Sequence, residues 1–101
     1  MKTLTLPMIH LNGTGAETLR DNYLDASNAV REAMDLCQKV EFNARDYYPL
    51  GEGAYPKARA EHWDRITRLQ DVREELNAIA EHVQTIMDEK EARRLEREAK
   101  A

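Results

Sequence analysis

The stretch that decides the fold is Leu69–Met87, which reads LQDVREELNAIAEHVQTIM. Its apolar residues return at alternating steps of three and four, at Leu69, Val72, Leu76, Ile79, Val83 and Ile86. This spacing places them along one face of an α-helix. The face is widened on its flanks by Trp63, Ile66, Ala80 and Met87. The sequence therefore predicts a long amphipathic helix with a broad apolar face.

A first helix is predicted over residues 14–41. Thr14, followed three residues later by Glu17, fits a capping box at its start. Its apolar stripe consists of Leu19, Tyr23, Ala26, Val30, Ala33, Cys37 and Val40. At 1.5 Å per residue the helix spans roughly 39 Å.

Together these patterns predict an all-α single domain over residues 1–101, built as an antiparallel two-helix hairpin. An extended N-terminal arm (1–13) precedes the first helix, and a loop (42–55) leads to the second helix (56–87). Pro56 suits the first turn of that helix, where its missing N–H has no helical partner. A charged helical tail (88–101) follows. Because a hairpin alone does not cover the broad apolar face, we expect a homo-oligomeric helical bundle.

Composition narrows the classes of function. The chain carries 15 Lys and Arg against 19 Asp and Glu, a net charge of −4, so the broad positive field of a duplex-binding protein is missing. Cys37 is the only cysteine, which excludes an intrachain disulfide, and we interpret it as a small buried hydrophobe. No apolar run approaches about 18 residues. We expect a cytoplasmic protein that does not enter a membrane.

The histidines do not predict a metal site. His10, His62 and His82 lie too far apart in sequence for metal-ligand spacing on one helix, and none has a cysteine or carboxylate pair at such spacing. His62 and His82 are predicted to belong to the polar or flanking surface of the second helix. We therefore expect no metal and no cofactor.

The first chemically rich loop is His10–Gly15, HLNGTG. Asn12, Gly13 and Thr14 lead into a helix N-terminus, where free backbone N–H groups attract anions such as phosphate. His10 stands beside them and can donate to a ligand oxygen. The alternative is structural: Gly13 supplies a turn and Thr14 caps the helix.

The second loop is Arg45–Gly51, RDYYPLG. Tyr47, Tyr48 and the nearby Tyr55 provide aromatic faces that can stack on bases, and Arg45 can pair with a phosphate. The alternative is that these aromatic rings plug the open end of the hairpin. The two loops lie at opposite ends of a protomer, so they form one pocket only if protomers pack antiparallel.

The predicted ligand-binding residues are accordingly His10, Asn12, Gly13, Thr14, Arg45, Tyr47, Tyr48 and Tyr55. No nucleophile, base and orienting group come together in the sequence. The sequence therefore predicts a binding protein, with no catalytic residues, and not an enzyme.

The motif order HLNGT (10–14), RDYYP (45–49) and ARAEH (58–62) resembles a group of small phage and prophage proteins, over roughly residues 9–83. Small helical oligomeric phage proteins include sponges that sequester cyclic nucleotide signals of bacterial defence. By analogy, the resemblance implies that Tyr47 and Tyr48 stack a base and that Arg45 meets a phosphate. His10, Asn12 and Thr14 would then close the other side of an intersubunit pocket.

Two functions remain open from the sequence. The first is a phage-encoded protein that sequesters a nucleotide-derived signal, of cyclic oligonucleotide or cyclic ADP-ribose type, in the host cytoplasm. The second is a structural or adaptor hairpin that binds a host or virion protein, with loops that only cap the bundle.

Overall fold

A computed structural model describes residues 3–101, and in this range the protein is all-helical, with no strand. Two long helices, α1 (Ala16–Gln38) and α2 (Ala54–Lys100), pack against each other as an antiparallel hairpin. Two short 3-10 turns, Ala44–Asp46 and Tyr48–Leu50, lie in the connection. The predicted helical hairpin is confirmed. The first two residues of the predicted arm lie outside the described range.

The start of α1 differs from its prediction. The helix begins at Ala16, and its N-cap is Gly15, with no side-chain cap hydrogen bond. The predicted capping box of Thr14 and Glu17 is therefore wrong. Because Thr14 lies one residue before the N-cap, its hydroxyl is not at the position from which a cap reaches the second or third helical N–H group. The helix also ends at Gln38, three residues earlier than predicted.

The second helix is longer than predicted. It begins two residues before Pro56, which lies in the first turn as expected, and runs without a break through residues 88–100. The charged tail is thus the exposed end of α2. Arg94 bridges Glu91 and Glu98 there, and Lys100 pairs with Glu96 at 3.1 Å. This helix sets the 77 Å length of the molecule.

The contact between the helices contains polar residues that the apolar pattern did not reveal. Ser27 is the one residue of α1 that is fully buried, and its hydroxyl bonds to Asn77 Oδ1 at 2.5 Å. One heptad earlier, the Arg20 guanidinium donates to Gln84 Oε1 at 2.8 Å. The predicted α1 stripe is wrong at Ala26 and Val40, which are exposed. The helix is rotated so that Ser27, and not Ala26, faces α2.

These two hydrogen bonds set the antiparallel register of the hairpin. In both pairs the residue numbers of the partners add to 104, so each step forward along α1 is one step back along α2. On this register Asn22 lies level with His82, and residue 32 lies level with Val72. A polar pair inside an apolar seam is a recognised way to specify one register over its neighbours.

The hairpin has two long sides, which we name after residues of α2. The Asn77 side carries the two bonds of Ser27 and Arg20, and Leu24 lies beside Asn77 in a small depression there. At about 100° per residue, Val72, Ile79 and His82 turn to the opposite side, the His82 side. His82 Nε2–H donates to the carbonyl of Pro7 at 3.0 Å, so the N-terminal segment (residues 3–13) packs on that side.

Candidate functional site

The connection between the helices carries a cluster of aromatic rings. The ring of Phe42 lies 5.5 Å from Tyr47 and 5.6 Å from Tyr55, centroid to centroid, and it stacks on the imidazole of His62 at 5.3 Å. Tyr47 and Tyr55 are also neighbours, at 6.1 Å. Offset or tilted ring pairs at these distances are favourable beyond the area they bury. The cluster fastens the connection to the first turns of α2.

His62 ties this cluster to the end of α1. Its Nε2–H donates at 2.8 Å to the carbonyl of Cys37 in the last turn of α1, an oxygen that also accepts from the Val40 N–H at 3.3 Å. Because a carbonyl only accepts hydrogen bonds, the Nε2 atom must carry the proton. His62 and His82 are half-buried and each joins α2 to another segment. The sequence had predicted only surface positions for both.

Beside the cluster lies an open groove of about 760 Å³. Its walls come from the end of α1, the connection and the first turns of α2. The lining consists of Gln38, Val40, Phe42, Tyr55, Pro56, Arg59, Ala60, His62, Trp63 and Ile66. The volume lies in the usual range of small-molecule sites.

Two residues give the groove its chemistry. Trp63 is the only tryptophan of the chain, and 66% of its surface is exposed although it lines the groove. Arg59 precedes it by four residues, so both lie on the same face of α2. Within residues 3–101, no side-chain hydrogen bond or ion pair engages Arg59. An indole face and an unengaged guanidinium are therefore adjacent in one concave surface.

The structure separates the predicted residues of the second loop. Tyr55 lines the groove, and Tyr47 is half-buried in the aromatic cluster behind it. Tyr48 is 71% exposed, and Arg45 is exposed on the neighbouring 3-10 turn; neither lines the groove. The packing of Tyr47 and Tyr55 agrees with the alternative that aromatic rings plug the hairpin end. Arg45 and Tyr48 remain at the surface.

The predicted residues of the first loop lie at the other end of α1. His10, Asn12, Gly13 and Thr14 are all exposed. The Gly13 N–H donates to the His10 carbonyl at 3.1 Å and closes a tight turn. The His10 ring folds over that turn, so a Cβ at Gly13 would come within 2.9 Å of its Nε2. A larger residue at position 13 would require the exposed His10 ring to move aside. The α1 helix, about 35 Å long, separates this loop from the groove.

Sequence reasoning missed Phe42, Arg59 and Trp63 as site residues. Phe42 is isolated in the sequence, and Trp63 was counted as part of the apolar face of the second helix. A usable signal was the spacing of Tyr55, Arg59, His62 and Ile66, which recur at steps of four and three and so share one helical face. What brings Phe42 onto that face is the turn of the connection.

The chain matches no protein-family model, and comparison with curated proteins and with solved structures gives no match either. Residues 3–101 contain no cluster of three or more histidine, cysteine or acidic side chains that could hold a metal ion. In the same range, no helix has the length and apolar character needed to cross a membrane.

Proposed function

We propose that the protein captures a nucleotide-derived ligand in the aromatic groove, without catalysing a reaction. The observation that carries the proposal is the exposed indole of Trp63 beside Arg59 in a groove of about 760 Å³. Stacking on an aromatic face accepts any base, and a guanidinium pairs with phosphate oxygens in bidentate fashion. The two groups match the two parts of a nucleotide.

The resemblance to small phage proteins extends this proposal to a biological role. A phage-encoded homo-oligomer of this kind would act as a sponge in the host cytoplasm, holding a cyclic oligonucleotide or a cyclic ADP-ribose isomer and so antagonising host defence. Sequestration needs affinity and abundance, and preorganised groups supply the affinity. The aromatic cluster behind the groove supports such preorganisation, because Phe42 and His62 fix the position of Tyr55.

The proposal is tested by thermal shift against a panel of cyclic dinucleotides, cyclic trinucleotides and cyclic ADP-ribose isomers. A ligand at about 100 times its dissociation constant stabilises the folded state by about 2.7 kcal/mol. Trp63→Ala is expected to weaken binding by roughly 5- to 150-fold, because stacking contributes about 1–3 kcal/mol per base. Arg59→Ala is expected to have an effect of similar size.

The control is Arg65→Ala, which removes an equally exposed guanidinium of α2 that does not line the groove. It is expected to leave affinity unchanged. A panel without any thermal shift would contradict the proposal. A larger loss from Tyr48→Ala than from Trp63→Ala would move the site from the groove to the exposed loop.

The alternative function is a structural or adaptor protein. It is favoured by the exposed apolar side chains of Leu36 and Val72, which lie outside the groove, and of Val40, which lies at its edge. A host or virion protein recovered stoichiometrically in a pull-down, and lost on Leu36→Lys but not on Trp63→Ala, would favour this function over ligand capture.

A further inference from the structure

The His82 side of the hairpin is covered over only part of its length. The contact between Pro7 and His82 places the N-terminal segment at the level of Asn22 on the register of the hairpin. Further toward the connection, Val72 is exposed at the level of residue 32, Leu36 is exposed near the end of α1, and Val40 is exposed two residues after that helix ends. Leu36 has 66% of its surface exposed. This second stretch, Leu36, Val40 and Val72, is the bare stretch.

The covered part bears apolar side chains that point away from the hairpin. Leu6 and Met8 flank Pro7 in sequence, and both are exposed, Met8 at 81%. They therefore form an apolar ridge where the N-terminal segment crosses the helices. The same side of one molecule thus carries a raised apolar ridge at one end and a bare apolar stretch at the other.

We propose that a second copy of this chain covers the bare stretch, in a two-fold dimer whose axis crosses the His82 side at the level of residue 31. In such a dimer the two α1 helices run antiparallel through the same surface patch, as an isologous contact requires. The axis sets Leu36 against Ala26 of the second copy and Val40 against Asn22 of the second copy. Large side chains then face small ones, and Ala29 meets Ala33 at the centre.

The ridge and the bare stretch meet under the same rotation. The N-terminal segment lies near the level of Asn22, which an axis at the level of residue 31 carries to the level of Val40. Leu6 and Met8 of each copy therefore lie at the level of Val40 of the other, beside the contact between the two α1 helices. One rotation satisfies both contacts, which argues for a second copy over an unrelated partner.

Charge complementarity supports the same axis. The axis carries Lys39 of one copy to the level of residue 23 of the other, two residues from Asp25 on the exposed flank of the contact. Both residues are exposed, and neither makes an ion pair within residues 3–101 of its own chain. Glu32 is unfavourable, because it approaches Glu32 of the second copy near the axis. Two Lys–Asp pairs thus stand against one pair of like charges.

The dimer deepens the proposed function, and this last step rests on it. The rotation carries the loop of His10, Asn12 and Thr14 of one copy to the end of the other copy that holds Arg45, Tyr48 and the aromatic groove. Each groove then has a wall from its partner, which a lone protomer does not supply. The dimer itself requires no ligand.

The first test is the mass of the purified full chain at micromolar concentration, by analytical ultracentrifugation. A dimer is expected, and Leu36→Lys is expected to weaken it by at least about thirty-fold, since an apolar side chain buried at each of two positions is lost. Leu24→Lys is the matched control, because Leu24 is also an exposed leucine of α1 but lies on the Asn77 side. Circular dichroism verifies that both variants keep their helices.

Two further variants test the axis. Lys39→Glu is expected to weaken the dimer, and Lys39→Glu combined with Asp25→Lys to restore it. With Cys37→Ala as background, Met8→Cys and Val40→Cys together are expected to give a disulfide between chains. The two positions are about 27 Å apart along one hairpin, far beyond disulfide reach, so a bond within one chain is impossible.

A monomeric wild type, or equal effects of Leu36→Lys and Leu24→Lys, would overturn the dimer. Failure of the nucleotide panel with an intact dimer would overturn only the proposed function. Conversely, ligand binding by a monomer would retain the groove and exclude the shared site.

Discussion

The two ends of α2 are built in opposite ways. At its first turns, rings from the connection and from α2 pack on one another, and His62 bonds to the end of α1. At its last turns the helix packs on no other segment of residues 3–101, and exposed ion pairs such as Arg94 with Glu98 lie along its surface. Packed rings resist separation because burial and shape act together, whereas exposed ion pairs contribute little and are screened by salt. The comparison predicts that stability and binding reside at the aromatic end.

The largest effect on stability is expected from Phe42→Ala. Phe42 contacts Tyr47, Tyr55 and His62, so its removal separates the connection from α2. We expect a loss of about 2–3 kcal/mol in the free energy of unfolding, below the cost for a fully buried ring because Phe42 is half-buried. Urea denaturation measures it. Leu95→Ala at the charged end is the control, with an expected change within about 0.5 kcal/mol.

A smaller effect is expected from His62→Ala. The substitution removes the hydrogen bond to the Cys37 carbonyl and the stacking on Phe42, so we expect a loss of about 1–2 kcal/mol. His62→Phe keeps an aromatic ring without the donor and should recover only the stacking share. If both variants unfold like the wild type in urea, the contacts of His62 do not contribute to stability. The expected contrast between the aromatic end and the charged end of α2 would then be contradicted.

The smallest effect is expected at the charged end, as a response to pH. Hydrogen bonding from the Arg94 guanidinium lowers the pKa of Glu91 below 4.5, its ordinary value. A carboxyl whose pKa is lowered in the folded helix stabilises that helix above its ordinary pKa, and this stabilisation is lost as pH falls through the lowered value. The protection of the amides of residues 91–98, relative to their intrinsic exchange rates, should therefore fall as pH drops through the lowered pKa of Glu91. Glu91→Gln removes the response, and exchange at the aromatic end serves as the internal reference.

The sequence predicted the parts of the molecule that depend on local periodicity. The apolar spacing of Leu69–Ile86 predicted a helix, and Pro56 correctly indicated a first turn. The capping box failed because Gly15, and not Thr14, stands at the N-cap. The sequence did not predict that Ser27 is buried. Its burial depends on a hydrogen bond to Asn77, fifty positions away, and nothing in the local sequence identifies that partner.

The sequence did not predict the groove either, because the groove joins residues that are distant in sequence. Tyr55, Arg59 and Trp63 can be placed on one helix from their spacing, but Phe42 joins them only through the 3-10 turns of the connection. Clustered tyrosines drew attention to Tyr47 and Tyr48, yet Tyr47 packs inward and Tyr48 points outward. Local composition located the correct end of the hairpin. It did not distinguish the rings that build the scaffold from those that face a ligand.

The fluorescence of Trp63 reports whether the groove beside it binds the proposed nucleotide-derived ligand. Because Trp63 is the only tryptophan, its emission reports on this groove alone. Titration with a nucleotide from the panel is expected to quench the emission in a saturable way, with a midpoint that matches the thermal shift. A nucleotide that stabilises the protein without changing the emission of Trp63 would contradict the claim.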